Sequence, residues 1–304
     1  MALMDAGRGV LDPCEREVPI ALPGEVLIRV RACGICQRDL HLLDGELTPA
    51  EIPIVPGHEI AGRVEVLGDG VTHLQVGDRV GVAWLGHACG TCEYCASARE
   101  HLCPNARFTG LHMDGGCAEY AVADAAYTFT LPDGIADAEA APLLCAGAVA
   151  YRAYRIAGEP RRLGLYGAGT AADLVATMAA HHQREVYVAS AAEPPPVPLD
   201  AAIVFAEDGH MVTDALSRLA PGGIVVCAGF QMSDVPSFPA SRLREDRAIR
   251  SVTNVTRDDV RELLALAASI GIKTVVQTYE LADANRAVAD LREGRIRGAA
   301  VLTL

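Results

Sequence analysis

Four cysteines lie close together in one short stretch of the chain. Cys89, Cys92, Cys95 and Cys103 follow the spacing C-x2-C-x2-C-x7-C. Two residues between thiols let consecutive sulfur atoms turn onto one centre, and four thiolates at about 2.3 Å complete a tetrahedron around zinc with no open position. The pattern therefore predicts a closed structural zinc site that holds a loop in place. A 4Fe–4S cluster and a set of free or disulfide-paired cysteines are the alternatives.

A second stretch with chemical meaning is rich in glycine. Gly167, Gly169 and Ala172 fall at the defined positions of G-x-G-x-x-A, between an apolar, strand-like segment and a helix-like one, Thr170–His182. Glycines at these positions allow a tight turn and let a pyrophosphate approach the amino terminus of the helix. The loop therefore indicates a dinucleotide-binding site at Gly167, Gly169 and Ala172, a signal that is weak alone and that the strand before it strengthens.

The end of the next predicted strand bears on the choice between NAD and NADP. An Asp or Glu about twenty residues after such a loop normally binds the ribose 2′-hydroxyl of NAD, but this chain has Ser190 there. No arginine follows to bind a 2′-phosphate. Either cofactor is therefore compatible with the sequence, and the missing carboxylate tilts the prediction slightly towards NADP.

Only Ala191–Pro198 separates that strand from the next apolar one, Ala201–Phe205. A polyproline-like link of this length reaches about 25 Å, against a return path of about 20 Å, so the connection is short but sterically possible. In a doubly wound dinucleotide-binding domain this region usually builds a wall of the adenosine pocket, so we expect weakened cofactor binding.

The elements that must position these residues fall into two patterns. Four strand-like segments punctuated by glycine indicate a compact β domain: Glu25–Ala32, Ile60–Leu67, Val76–Val82 and Tyr120–Ala123. From Asp137 onwards, apolar strands alternate with helical patterns, which predicts a parallel sheet. The alanine-rich segment Asp137–Ala157 reads as a helix interrupted near Pro142, and Thr256 as the N-cap of a later helix.

Several motifs occur together and in a characteristic order. They are GIC-x-x-DLH at 34–41, PGHE at 56–59, the four cysteines, APLLCAG at 141–147 and the glycine loop. In this combination the chain resembles the zinc-dependent medium-chain alcohol dehydrogenases over nearly its whole length. The resemblance implies an α/β fold with a GroES-like β domain that carries two zinc ions and a doubly wound Rossmann domain that binds NAD or NADP. We expect residues 1–148, completed by 275–304, to form the first domain with its structural-zinc lobe. Residues 149–274 would form the second, with a shortened second half and a missing edge strand.

The resemblance also assigns roles to residues. Cys36, His58 and Cys145 would bind the catalytic zinc and leave its fourth position for water or substrate. Glu59 would be a carboxylate near the metal. Asp39 would accept the second imidazole N–H of His58 and so fix its tautomer.

One position departs from the family pattern. Zinc lowers the pKa of a bound alcohol, whose hydride then passes to the nicotinamide, and the proton leaves through a hydroxyl and a histidine. His41 matches the histidine, but Arg38 replaces the hydroxyl. A guanidinium stays protonated and cannot accept a proton. Arg38 either turns outward and leaves the relay to water, or faces the substrate and favours an acidic or carbonyl-bearing one, or makes turnover poor.

Composition limits the partners. A formal net charge of −13 argues against nucleic acid, and no apolar run is long enough to span a bilayer. Ten cysteines without an export signal predict a cytoplasmic protein, and relatives suggest a homo-oligomer, a dimer or tetramer. The leading hypothesis is an NAD(P)-linked dehydrogenase acting on a small alcohol, aldehyde or ketone. The alternatives are a degenerate zinc-binding member with little or no activity and a non-enzymatic binding module.

Overall fold

The structure, a computed structural model, describes residues 1–158, 160–189 and 196–304. It contains two compact units, one made of residues 1–145 with 254–304 and the other of residues 146–253. Residues 254–274, which the sequence suggested for the coenzyme domain, therefore belong to the first unit. None of the helices in the described ranges has the length and apolar character needed to span a bilayer.

The first unit is built on a seven-stranded sheet. Its elements before the second unit are β1 (Glu25–Ile35), α1 (Gln37–Leu43), β2 (Glu59–Leu67), β3 (Arg79–Val82), β4 (Leu85–His87), α2 (Glu93–Ala96), β5 (Arg107–Phe108), β6 (Tyr120–Asp124), β7 (Thr128–Thr130) and α3 (Asp137–Ala140). The second unit contributes α4 (Ala146–Ile156), β8 (Arg162–Tyr166), α5 (Thr170–His181), β9 (Glu185–Ala189), β10 (Leu199–Val204), α6 (His210–Ser217), β11 (Leu219–Cys227) and β12 (Ala248–Ser251). The chain then returns to the first unit with α7 (Arg257–Ile270), β13 (Val276–Glu280), α8 (Ala284–Arg292) and β14 (Ala299–Thr303).

The large sheet has the order β13-β14-β1-β2-β3-β7, and β6 also pairs with β1. Its central strand β1 is mostly buried, with Val26, Ile28 and Val30 in the core of the unit. Because β1 and β2 are antiparallel, the end of β1 lies beside the start of β2, with Gly34 opposite Glu59. This register brings the segment after β1 and the segment before β2 to one edge of the sheet.

The second unit contains a five-stranded parallel sheet of order β12-β11-β10-β8-β9. The inner strands β8 and β10 are apolar and largely buried, as expected for the middle of a sheet between helices, whereas β12 is exposed throughout and β9 is buried only at Ala189. Among the described residues β9 is the edge strand, in keeping with the predicted loss of one outer strand. Ser190 and residues 191–195 of the link lie outside the described residues.

The predicted helix Asp137–Ala157 is broken, as its proline suggested. It consists of α3, a short 3-10 segment Ala141–Leu144, and α4. Cys145 lies at the break, with φ −129° and ψ −78°. This irregular backbone ends the first unit and directs the Cys145 side chain away from a regular helical position.

Candidate zinc centres and cofactor loop

Cys36 is fixed by the start of α1. It is the N-cap residue of this helix and has an extended backbone, with φ −131° and ψ −176°. Its backbone N–H donates to Asp39 Oδ2 at 2.9 Å, which closes a capping box. The sulfur is therefore held at the point where β1 ends and the helix begins.

His58 is placed by a tight turn just before β2. Gly57 has φ +91°, and a Cβ there would lie 2.5 Å from the sulfur of Cys33, so only glycine fits. Asp39 Oδ1 accepts the Gly57 N–H at 3.3 Å and lies 3.5 Å from His58 Nδ1. The same carboxylate thus serves the helix cap, the turn and the histidine, and it leaves His58 Nε2 directed at the sulfur atoms.

Three distant side chains converge at this point. His58 Nε2 lies 3.4 Å from Cys36 Sγ and 3.4 Å from Cys145 Sγ. With a carboxylate oxygen of Glu59, the four ligand atoms all lie within 4.8 Å of one another. Tetrahedral zinc with ordinary bond lengths would separate a sulfur and a nitrogen ligand by about 3.6 Å. The donor types and their spacing therefore fit zinc.

The electrostatics of the cluster favour a thiolate at Cys145. A hydrogen bond from Cys36 and the charges of Arg38 and His58 hold the pKa of the Cys145 thiol well below its ordinary value. Burial alone would lower the pKa of His58, but the charges of Asp39 and Cys145 outweigh it and raise this pKa to about 10. Thiolate is the form in which cysteine binds metal. The site without metal thus pairs a thiolate with a protonated imidazole, and His58 must release a proton when a metal binds.

The Glu59 side chain is buried beside the cluster of ligand atoms. It is 2 % exposed, and a Cβ on Gly34 would lie within 1.9 Å of its carboxylate oxygen. Burial and the neighbouring Cys145 charge raise the pKa of Glu59 well above its ordinary value. Glycine at 34 is therefore required for the carboxyl group to reach the cluster.

Arg38 turns into the site, so the interpretation in which it points outward is wrong. Its Nη1 donates to Cys145 Sγ at 3.3 Å, and its guanidinium lies 4.8 Å from the centre of the Trp84 ring. The Trp84 ring also meets His58 edge-on at 4.8 Å and stacks on Phe108 at 5.1 Å. Trp84, which the sequence could not assign between a cleft and a packing role, therefore forms one wall of the site.

His41 does not join the cluster of ligand atoms. It lies on α1, and its Nδ1 is 2.6 Å from Glu46 Oε2. Its predicted role at the end of a proton path remains a prediction.

The four-cysteine stretch forms the second cluster. It lies between β4 and β5, which pair with each other, and its four sulfur atoms are all within 4.8 Å. Cys89 Sγ is 3.5 Å from Cys103 Sγ and 4.0 Å from Cys95 Sγ, around the distance of about 3.8 Å that tetrahedral zinc would impose. The backbone N–H groups of Thr91 and Cys92 lower the pKa of Cys89 to about 5. This arrangement also fits zinc, with every position taken by sulfur.

The glycine loop joins β8 to α5 in the second unit. Gly167 has φ +99°, and a Cβ on it would lie 2.7 Å from the backbone nitrogen of Ala206. Gly169 has φ +121°, and no atom lies within 4 Å of where its Cβ would be. It precedes α5 without a side-chain cap on the helix, and Ala172 is buried in the first turn. Open space before exposed backbone N–H groups suits a pyrophosphate.

Known proteins are similar to this chain in both sequence and fold. Residues 22–133 match the family model for the alcohol dehydrogenase GroES-like domain, and residues 178–302 match the model for zinc-binding dehydrogenases. A probable alcohol dehydrogenase, AdhA, of Mycobacterium tuberculosis is 42% identical over 97% of this chain and 93% of its own length. An alcohol dehydrogenase of Geobacillus stearothermophilus is 33% identical over 99% of this chain and 98% of its own length.

A solved structure extends the likeness to the fold. The cobalt- and zinc-bound thermostable alcohol dehydrogenase of Pyrobaculum aerophilum superposes with a TM-score of 0.88 at 26% identity. The match covers 100% of this chain and 98% of that one.

Proposed function

Because the chain belongs to the zinc-dependent medium-chain alcohol dehydrogenases, we propose that it transfers hydride between an alcohol, or the matching aldehyde or ketone, and NAD(P). The observation that carries the proposal is the convergence of Cys36, His58 and Cys145 through contacts of 3.4 Å. Two sulfurs and an imidazole leave one tetrahedral position for a substrate oxygen, which a purely structural site does not.

The residues of the site have distinct roles in the proposed reaction. Zinc, when bound, supplies a Lewis acid towards an alcohol or carbonyl oxygen. Cys36, His58 and Cys145 would hold it, and Asp39 keeps the imidazole in the tautomer that presents Nε2. Glu59 is buried beside them, with a carboxylate oxygen close to the three ligand atoms.

The second cluster has a different role. Cys89, Cys92, Cys95 and Cys103 would hold a structural zinc, giving two zinc ions per chain. Because four thiolates complete the coordination, this ion has no position for a substrate and serves to order the segment between β4 and β5.

The proton path differs from that of relatives with a hydroxyl at position 38. Arg38 bonds to Cys145 and stacks on Trp84, so it lines the site without being able to accept a proton. The alcohol proton must therefore leave through water or through groups that lead towards His41.

The test is reduction of NAD and of NADP at 340 nm with a panel of primary and secondary alcohols. We expect activity in the zinc-loaded chain, loss of activity in Cys36→Ala, and retention in the matched control Cys14→Ala, which lies outside both clusters. Zinc bound at full occupancy with no reduction of either cofactor by any alcohol would favour the degenerate or non-enzymatic alternative.

Two further features are part of the proposal. The ten cysteines form no disulfide in the described ranges, which supports a reducing, cytoplasmic setting. By resemblance we also expect a dimer or tetramer. Cell fractionation and light scattering of the purified chain test these two statements.

A further inference from the structure

A cavity of about 470 Å³ lies in the second unit on the α6 side of the parallel sheet. Tyr166 and Ala189, the last residues of β8 and β9, form one side of it, and α6 along its whole length forms the other together with Phe238 and Arg242. Tyr166 directly precedes the glycine loop. The cavity thus opens at the carboxyl ends of neighbouring strands, where ligands of such sheets bind.

The polar groups of the cavity include one that lacks a partner. Tyr166 is 2 % exposed, and among residues 1–158, 160–189 and 196–304 no group meets its hydroxyl in hydrogen-bond geometry, although the Arg218 guanidinium lies near enough to act on its pKa. Burial raises the pKa of this hydroxyl to about 12, so it remains a neutral donor. A buried hydroxyl without a partner costs free energy unless a ligand or water satisfies it.

The charged side chains that line the cavity differ in whether an opposite charge neutralises them. The carboxylate of Asp214 accepts two hydrogen bonds from Arg218, at 3.1 and 3.2 Å, and is therefore compensated. Arg242 donates to the carbonyl of Thr213 at 3.0 Å, and in the described part of the chain no carboxylate lies within ion-pair distance of it. A carbonyl contact fixes the guanidinium in place and leaves its positive charge available to an anion.

Asp208 is the remaining acid on the cavity wall. Its Oδ1 accepts the backbone N–H of His210 at 2.9 Å, at the start of α6. A carboxylate held in this way repels a phosphate but can accept a hydrogen bond from an amine. The combination of one free cation, one hydroxyl and one acceptor suits an adenosine that carries a phosphate.

We propose that Arg242 binds the 2′-phosphate of NADP(H) and makes the chain prefer NADP(H) over NAD(H). The inference rests on the proposed function. In it, Arg242, from a segment far along the sequence, takes the role of the arginine that is missing after β9. The sequence at position 190 agrees with this inference, because Ser190 replaces a carboxylate that would repel the phosphate.

The experiment is calorimetric titration of the zinc-loaded chain with NADPH and with NADH. We expect NADPH to bind more tightly, and Arg242→Ala to weaken NADPH binding by about ten- to a hundredfold, the usual size for a charged hydrogen bond, with little change for NADH. Arg242→Lys should retain part of the preference. Arg244→Ala, which removes the same charge from an exposed position of the same segment, should leave both affinities unchanged.

Two results would overturn the inference. Equal or tighter binding of NADH by the unaltered chain would do so while leaving the proposed function intact, as would an undiminished NADPH preference in Arg242→Ala with a normal unfolding transition. Failure of the zinc-loaded chain to bind either cofactor would overturn both the inference and the proposed function.

Discussion

Asp39 links the backbone to the metal site through a single carboxylate. One oxygen accepts the Cys36 N–H and caps α1, and the other accepts the Gly57 N–H and faces His58 Nδ1. The positions of two of the three zinc ligands therefore depend on the same side chain. Orienting groups of this kind typically contribute a factor of about 10 to 100 in metal affinity.

We therefore predict that Asp39→Asn weakens zinc binding at the Cys36 site by about 10- to 100-fold while the chain remains folded. The measurement is competition for zinc with a chelator, combined with metal analysis. Asp44→Asn is the matched control, because Asp44 ends the same helix and pairs with Arg292 on the surface. An unchanged zinc affinity in Asp39→Asn would show that the carboxylate does not orient His58.

Arg38 occupies the position at which the family resemblance implies a hydroxyl side chain. Replacing it with threonine restores a hydroxyl at the start of the proton path, so we predict that Arg38→Thr raises turnover of simple alcohols by about tenfold or more. Steady-state rates and their pH profile provide the check. Arg38→Gln, which removes the charge without supplying an equivalent hydroxyl, should not reproduce the gain. Identical rates and pH profiles in the original chain and Arg38→Thr would mean that no proton passes through this position.

At the scale of elements, most of the architecture follows from local sequence rules. Strand β8 forms where an apolar segment was predicted before the glycine loop, α7 has Thr256 as its N-cap with Asp259 closing the capping box, and Gly294 follows α8 with φ +66°. These features depend on residues within a few positions of each other. Periodicity and capping chemistry are therefore enough to find them.

The contacts within the site were much harder to predict. The inward turn of Arg38, the edge-on contact of Trp84 with His58 and the fit of Glu59 against Gly34 depend on which strands are neighbours. A single sequence carries no signal for such pairings. The ligands themselves were found only through the family resemblance, since 22 and 87 residues separate His58 from Cys36 and from Cys145.

The parallel sheet of the second unit is tied at its amino end by Asp200. Its carboxylate accepts the Arg162 backbone N–H at 2.9 Å and Arg162 Nη2 at 2.7 Å, which joins β8 to β10. Burial opposes ionisation of Asp200, but these hydrogen bonds outweigh it and lower its pKa. Since the folded pKa lies below the unfolded value of about 3.9, the stabilisation is present above pH 4 and is lost as the pH falls through the folded pKa.

Asp200→Asn should therefore lower the free energy of unfolding by about 1 kcal/mol at neutral pH. The difference from the original chain should stay constant from pH 7 to about pH 5 and shrink below about pH 4. Urea unfolding of both proteins across this range measures it, with the exposed Asp246→Asn as control. A difference that persists undiminished at low pH would show that the charge of Asp200 is not its source.

The short link after β9 affects the cofactor site as a whole. Because the described residues show no strand beyond β9, the adenosine end of the cofactor has fewer residues to contact than in a longer sheet. We predict a dissociation constant above about 1 μM even for the preferred cofactor, measured by calorimetry. A dissociation constant at or below about 1 μM would show that the remaining groups, Arg242 among them, replace the missing wall of the adenosine pocket.

At the scale of the whole molecule, the account depends on two zinc ions with different surroundings. As proposed, one would have four sulfur ligands and no chemistry of its own, while the other would have Cys36, His58 and Cys145 as ligands and a position for substrate. The ligands of the first zinc ion follow from the spacing of four cysteines within one short stretch of the sequence. The second exists only because the fold brings three distant side chains together.

Anomalous diffraction from crystals of the zinc-loaded chain, recorded on both sides of the zinc absorption edge, tests this claim directly. The account predicts two zinc peaks per chain, one enclosed by Cys89, Cys92, Cys95 and Cys103 and the other bound by Cys36 Sγ, His58 Nε2 and Cys145 Sγ. A single peak in the four-cysteine cluster, or a second peak bound elsewhere, would contradict it.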